Sequence, residues 1–345
     1  MKKPGIAPVV WNPPPPAQST PDPLPTLRTF PLPGSGPEDV LVAPDGSVLT
    51  GVDDGRILRL DPVTSAVTVV ADTGGRPLGL EWLPDGRLLV CDAEIGLLAV
   101  ETNRASERAP TAIPTTGLGK IETLVDQVDG QPVRICNNAS VAADGTIWFT
   151  DSSARFDFAH WKGDLIEHRG TGRLLRRDPD GSTAIVCAGL QFANGVALNA
   201  DSSAVYVAET GSYALQRVDL TGSSAGIRKP VAENLPGFPD NVSLGDGGLI
   251  WVAIASPRNP IIDRLSPLPP MLRRAVWALP AKAQPKPAFE VGLVAIDPVD
   301  GSIVHNIAGQ NPEFGVSTGV REHNGTVWLG SLSANSIASF DLADL

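Results

Sequence analysis

One short register recurs six times along this chain, and it narrows the possible folds more than any other feature. It consists of an apolar strand, a turn built on Asp-Gly or a similar pair, and a second strand. The first copy reads Asp39-Val40-Leu41-Val42-Ala43-Pro44-Asp45-Gly46. Later copies open at Gly79-Leu80, Asn138-Ala139, Gly195-Val196, Asn241-Val242 and Gly319-Val320. A third strand follows in each plan, as in 55–60 and 172–177, and most copies add a fourth, as in 66–70. Four-stranded units repeated radially describe an all-β protein, a six-bladed β-propeller. The 35 glycines and 33 prolines fit many short strands joined by tight turns.

The blades are expected to fill residues 27–345, preceded by a Pro-rich N-terminal arm over 1–26 that runs extended. The sixth copy lacks a fourth strand of its own. Leu27-Arg28-Thr29-Phe30-Pro31-Leu32 is positioned to supply it and close the ring, which would remove two exposed sheet edges. Blades three and five carry long inserts between their second and third strands, Ser152 to Thr171 and Ser256 to Phe289. Both emerge where the inner strands begin. The second is rich in apolar residues, among them Ile261, Ile262, Leu265, Leu268, Met271, Leu272, Val276, Trp277 and Leu279. The expectation is an apolar lid over an axial site.

Equivalent positions in a radial repeat converge on one axis. Two places before the apolar residue that opens each inner strand stand Glu38, Leu78, Asn137, Asn194, Asp240 and Thr318. Two carboxylates and two amide carbonyls meeting there make a site for a hard cation. No His or Cys occupies the register, so zinc is disfavoured, and magnesium would want a tighter octahedron. Without a cation, like charges converging on the axis would be costly.

A net charge of −11 argues against nucleic acid or an anionic membrane surface as partner. No stretch approaches the roughly 18 apolar residues of a transmembrane helix, and the N-terminal apolar run is too short for a signal sequence. A soluble cytoplasmic protein acting on a small molecule is the expectation. The three cysteines, Cys91, Cys136 and Cys187, lack disulfide or zinc spacing and read as buried thiols in strands.

Several segments together resemble the strictosidine synthase-like branch of the gluconolactonase, senescence-marker-protein and paraoxonase superfamily. They are 36–40, 79–80, 148–153, 171–175, 192–196, 235–241 and 322–325, in that order and in blade register. Adipocyte plasma-membrane-associated proteins of animals are similar relatives. The resemblance covers roughly residues 30 to 345 and implies a catalytic Ca²⁺ at the axis. It assigns as metal ligands the four residues the register had already selected, Glu38, Asn137, Asn194 and Asp240. It also implies that the plant synthases' catalytic glutamate would fall at the register of Thr318, where this chain has threonine.

These observations lead to a Ca²⁺-dependent hydrolase of lactones or esters, with a moderately hydrophobic substrate. The metal would polarise the carbonyl, and Asp240 would be catalytic as base or nucleophile, with Asn241 beside it to orient the substrate or join the outer shell. Two alternatives stand: a synthase-like condensing enzyme or lyase, and a non-enzymatic ligand-binding propeller. His160 and His168, in the blade-three insert, are candidate acids or bases. His305 reads as an outer-strand residue, and His323 lies by a bottom turn. The second-to-third strand loops hold Asp53, Asp54, Asp92, Glu94, Asp151, Ser152, Glu209 and Thr210, most of them expected to cap turns. No Gly-x-Ser-x-Gly elbow is present for a serine hydrolase.

Overall fold

The computed structural model describes residues 3–16, 20–102 and 118–345. Its main sheets are six blades around one axis. The innermost strands are Leu41–Val42, Pro77–Trp82, Cys136–Val141, Ala193–Leu198, Gly237–Leu244 and Ser317–His323. Every blade runs antiparallel from inner to outer strand, as short hairpin connections require. Turn glycines such as Gly46, at φ 82°, hold the left-handed conformation needed at the bottom of a hairpin.

The ring closes as expected. Arg28–Pro31 pairs antiparallel with Ser336–Asp341, Phe30 lying opposite Ile337, and becomes the outer strand of blade six. Blade five gains an outer addition from the same N-terminal segment, Asp22–Pro23, which runs parallel to Ile303–Gly309.

The apolar core is divided among the blade interfaces, because each sheet has two apolar faces and neither can face water. Leu89, Cys91, Cys136 and Phe149 join blades two and three, while Val196, Val207, Leu174 and Trp148 join three and four. Phe30, Val40, Val48, Leu58, Trp328 and Ile337 seal blade six against blade one. Cys91, Cys136 and Cys187 are buried free thiols.

The inserts carry the helices. In blade three, α1 spans Trp161–Glu167 and ends on His168 in the left-handed conformation. In blade five, α2 spans Pro260–Leu265 and α3 spans Pro270–Ala278. Asn259 starts α2 by accepting from the backbone N–H groups of Ile261 and Ile262, at 3.0 and 3.2 Å, with Pro260 at the first helical position. Phe156, Ile166 and Trp277 bring the two inserts into one apolar cluster, so they form a continuous roof. No helix among the described residues is long and apolar enough to cross a membrane.

The Pro-rich segment is extended, and it is also docked on that roof. Ile6 is buried in the cluster shared by the inserts. Val9 N–H donates to Glu167 O at 2.9 Å, and the Trp277 indole N–H donates to Pro4 O at 2.7 Å. Arg273 of α3 is buried and donates to three carbonyls, of Ile166, Val9 and Ser266. Through these bonds the buried guanidinium links helix, insert and arm.

The closing interface yields a test. Phe30 is 2% exposed and lies 5.4 Å from the Trp328 ring centroid. Phe30→Ala should cost about 3–5 kcal/mol, read from urea denaturation midpoints. A loss below about 1 kcal/mol, typical of a surface site, would show that closure does not depend on this contact.

Candidate active site

A repeated backbone irregularity places the axial side chains. In blade two Pro77 pairs with Asp92 and Leu80 with Val90, so the inner strand holds one residue more than its partner across that interval. Blades three to six repeat it between Cys136 and Ala139, Ala193 and Val196, Pro239 and Val242, and Ser317 and Val320. A β-bulge re-aims side chains that regular pleating would send to the sheet faces. Leu78, Asn137, Asn194, Asp240 and Thr318 all sit inside these bulges. Together with Glu38 they line a single cavity of about 130 Å³. The register read from sequence therefore corresponds to a convergence in space.

Of the next residues along the bulges, only Asn241 was singled out from the sequence. Around the ring these positions are Asp39, Gly79, Asn138, Gly195, Asn241 and Gly319, polar and glycine in alternation. The glycines sit where adjacent inner strands nearly touch. A Cβ on Gly79 would lie 2.7 Å from Asn137 O, and one on Gly195 would collide with the backbone of Asn241 and Val242. The polar members bridge strands: Asp39 Oδ2 accepts from Leu80 N–H at 3.0 Å, and Asn138 Oδ1 from Val196 N–H at 3.1 Å. The signal was present in the repeat itself, one column over from the candidate ligands.

Hydrogen bonds at the cavity floor orient the amides. Asn137 Nδ2 donates to Ser152 Oγ at 2.9 Å, and Asn194 Nδ2 donates to Thr210 Oγ1 at 3.1 Å. Asn241 Nδ2 donates to Glu38 Oε1 at 3.1 Å. With each NH₂ engaged, Asn137 Oδ1, Asn194 Oδ1 and Asn241 Oδ1 remain buried without a partner, as does Glu38 Oε2. Each such group costs about 1–3 kcal/mol when left unsatisfied. Among the described residues no three His, Cys, Asp or Glu side chains gather to hold a metal. The donors here are two carboxylates and three amide oxygens, a set of hard oxygens that suits Ca²⁺. The orphaned oxygens suit such an ion.

Burial pushes the carboxyls up. Asp240 rises to about 8, chiefly through desolvation and with a contribution from Asp39, against hydrogen bonds from Asn194 and the Asn241 backbone. Glu38 is raised well above its ordinary value by desolvation, then by Asp240 and Asp39, with Arg76 and Asn241 opposing. Two acids sharing a low-dielectric floor hold their protons unless a cation replaces them.

The roof above is aromatic and apolar, but its source differs from expectation. Phe158, Trp161, Leu165 and Ile166 of the blade-three insert line the cavity, with Trp11 from the arm. Of the apolar residues expected from blade five, Ile262 reaches the cavity. Trp277 is packed in the roof's own cluster, while Ile261, Leu268, Met271, Leu272 and Leu279 are exposed. Apolar content in the insert signalled burial against something without saying which neighbour.

The histidines fall away from the site. His160 Nδ1 lies 2.6 Å from Asp157 Oδ1, and His168 stacks on Trp11 at 3.9 Å between centroids with a 9° interplanar angle. Neither lines the axial cavity. His305 is in an outer strand, stacked on Trp251, and His323 is exposed near the bottom turn. The loop acids largely cap backbone. Asp92 Oδ1 accepts from Arg76, Glu94 and Ile95 N–H groups, Asp151 Oδ1 from Arg134 and Ile135, and Glu209 Oε1 from Gln191. Asp53 and Asp54 are exposed. Ser152 and Thr210 are the exceptions, since they set the orientation of the axial amides.

The family model for the SMP-30/Gluconolactonase/LRE-like region matches residues 38–292. Protein STRICTOSIDINE SYNTHASE-LIKE 10 of Arabidopsis thaliana is 31% identical over 360 residues, covering 95% of this chain and 91% of its own. Among solved structures, a gluconolactonase from Xanthomonas campestris superposes with a TM-score of 0.63 at 17% identity, covering 91% of this chain and 89% of that one. A calcium-binding protein, regucalcin, from Agrobacterium tumefaciens gives 0.62 at 13% identity, covering 93% and 95%. At these identities the two structures speak for the fold.

The buried His168 gives a pH test. Desolvation, then Arg273, lowers its pKa from 6.5 to about 3. The folded protein thus keeps it neutral where the unfolded chain takes up a proton. Its contribution to stability is full above pH 6.5 and is lost as pH falls toward 3. His168→Phe keeps the stack on Trp11 and should flatten the acid limb of stability against pH in that window. Parallel curves for variant and wild type would mean His168 is not responsible.

Proposed function

The chain belongs to the SMP-30/gluconolactonase/LRE-like family, and from that premise we propose that it is a Ca²⁺-dependent hydrolase that opens lactones or cleaves esters. Glu38, Asn137, Asn194 and Asp240 would hold the ion, with Asn241 Oδ1 as a further oxygen. The observation that carries this reading is the set of three buried, unpartnered oxygens in one cavity, on Glu38, Asn137 and Asn194, with a fourth on Asn241, which donates to Glu38. Family membership and the regucalcin-like fold support it. When bound, Ca²⁺ supplies polarisation of the substrate carbonyl and stabilises the oxyanion that develops.

The chain's own groups would do the rest. Asn241 engages Glu38 through Oε1, while Asp240 is held by the Asn194 side chain and the Asn241 backbone at the cavity floor, where it can face the substrate. Ionised, Asp240 either takes a proton from an attacking water or attacks the acyl carbon itself. Phe158, Trp161 and Leu165 present apolar surface for the body of the substrate and shield the floor from bulk water.

A condensing activity is the second reading, favoured by the strictosidine synthase-like relative. Against it, Thr318 stands where the resemblance places the synthase glutamate. Its hydroxyl is committed to Glu38 O at 2.7 Å, tying blade six to blade one.

Hydrolysis of aryl esters and lactones should vanish with EDTA and return with Ca²⁺, and Asp240→Asn should lose roughly 100-fold or more. Activity indifferent to both changes would sink the hydrolase assignment. Activity that survives chelation on an amine and an aldehyde would favour the condensing enzyme.

Metal binding also has a proton signature. With its pKa at about 8, Asp240 is largely protonated at neutral pH before metal binds, and burial shifts Glu38 in the same direction. Ca²⁺ should therefore displace roughly one proton or more, seen as a buffer-dependent calorimetric heat near pH 7 and as a rise in Tm. Asn137→Ala should reduce both, and Ca²⁺ heats identical across buffers would contradict the site.

A further inference from the structure

The cavity has a second charged feature at the end opposite its carboxylates. Lys162, on α1 of the blade-three insert, and Lys286, in the blade-five insert, both line it. Lys162 is half-buried and Lys286 exposed, which places the pair at the mouth. Lys162 Nζ donates to Pro285 O at 3.2 Å across the gap between the inserts and lies 5.4 Å from the Trp161 ring centroid. Among the described residues neither lysine forms a salt bridge, in a chain with 38 acidic against 27 basic residues. Burial and then the neighbouring Lys286 charge both disfavour the Lys162 ammonium, so the two cations repel one another across the mouth.

We propose that the cavity takes an amphiphilic ligand whose apolar body lies between Trp11, Phe158, Trp161 and Phe192, with a carbonyl at the floor and a carboxylate at the mouth held by Lys162 and Lys286. The inference deepens the hydrolase reading and rests on the axial cavity being the substrate site. Three features define the ligand's chemistry. The walls suit hydrocarbon or aryl surface. Ca²⁺ would neutralise the two floor carboxylates, leaving the lysines as the uncompensated charge of the site. An anion between them would relieve their repulsion and replace water on a partly desolvated ammonium. Among the described residues no arginine lines the cavity to offer the bidentate fork that favours phosphate, so a carboxylate is the simpler match.

The test uses ketones, which cannot be hydrolysed, so binding is read apart from catalysis. The probes are 2-nonanone and its ω-carboxylate, 8-oxononanoate, titrated into the Ca²⁺-saturated full chain while following tryptophan fluorescence, with Trp11 and Trp161 in the cavity wall. The carboxylate should bind roughly fivefold to tenfold tighter at low salt. That preference should shrink in about 0.5 M NaCl and disappear in the double variant Lys162→Gln/Lys286→Gln, with near-ultraviolet circular dichroism confirming the fold. Equal binding of the two ketones, no binding of either, or a preference that survives in the variant would overturn the inference. If esters prove inert while the lysine-dependent preference holds, the hydrolase reading fails and the anion site stands.

Discussion

The close approach of six inner strands around one axis is the constraint on which the rest of the molecule depends. Six inner strands cannot meet at a point with a side chain on every one. The chain answers with alternation, Asp39, Asn138 and Asn241 taking turns with Gly79, Gly195 and Gly319. Glycine lets one strand touch the next, Asp39 and Asn138 tie a neighbour's backbone, and Asn241 reaches the Glu38 side chain. Bulges at the same places give each strand the extra residue that turns the preceding side chain toward the cavity. Packing at the axis and display of the candidate ligands are two results of one local geometry.

That geometry buries polar groups that find no partner in the protein. Unpaired oxygens on Glu38, Asn137 and Asn194, and on Asn241 beside them, together with two acids whose pKa values are pushed up, leave the axis intrinsically unfavourable. The six apolar interfaces between blades offset that strain, and they lie away from the axis. The arrangement is typical of a site in which local stability is given up for preorganisation. Ser152 and Thr210 matter out of proportion to their size, because each holds an amide nitrogen so that the oxygen faces the axis.

Much of this was legible in the chain, and unevenly so. The column containing Glu38, Asn137, Asn194 and Asp240 was visible because radial symmetry turns a position in a repeat into a position in space. Closure by 27–32 was visible because an unfinished blade and an orphan strand complement each other. The insert sequences told less. Met271 and Leu272 read as apolar and proved exposed, whereas Trp161 and Phe158 form the wall. Periodicity reports that a residue favours burial and is silent on which surface will bury it. His168 was a candidate acid or base, yet it lies flat against Trp11, a contact between residues 157 positions apart that no local pattern announces.

By itself, the sequence determined the number of blades, the turn chemistry, the strand that closes the ring and the column of oxygen donors, all of them local patterns multiplied by a repeat. Only the tertiary structure decided which amide oxygens are left free, how far burial raises Asp240, and that the N-terminal arm contributes Trp11 to the cavity wall. Those properties depend on distances between segments remote in the chain and on the dielectric their packing creates. Hydrogen-bond direction and desolvation exist only once the ring has closed.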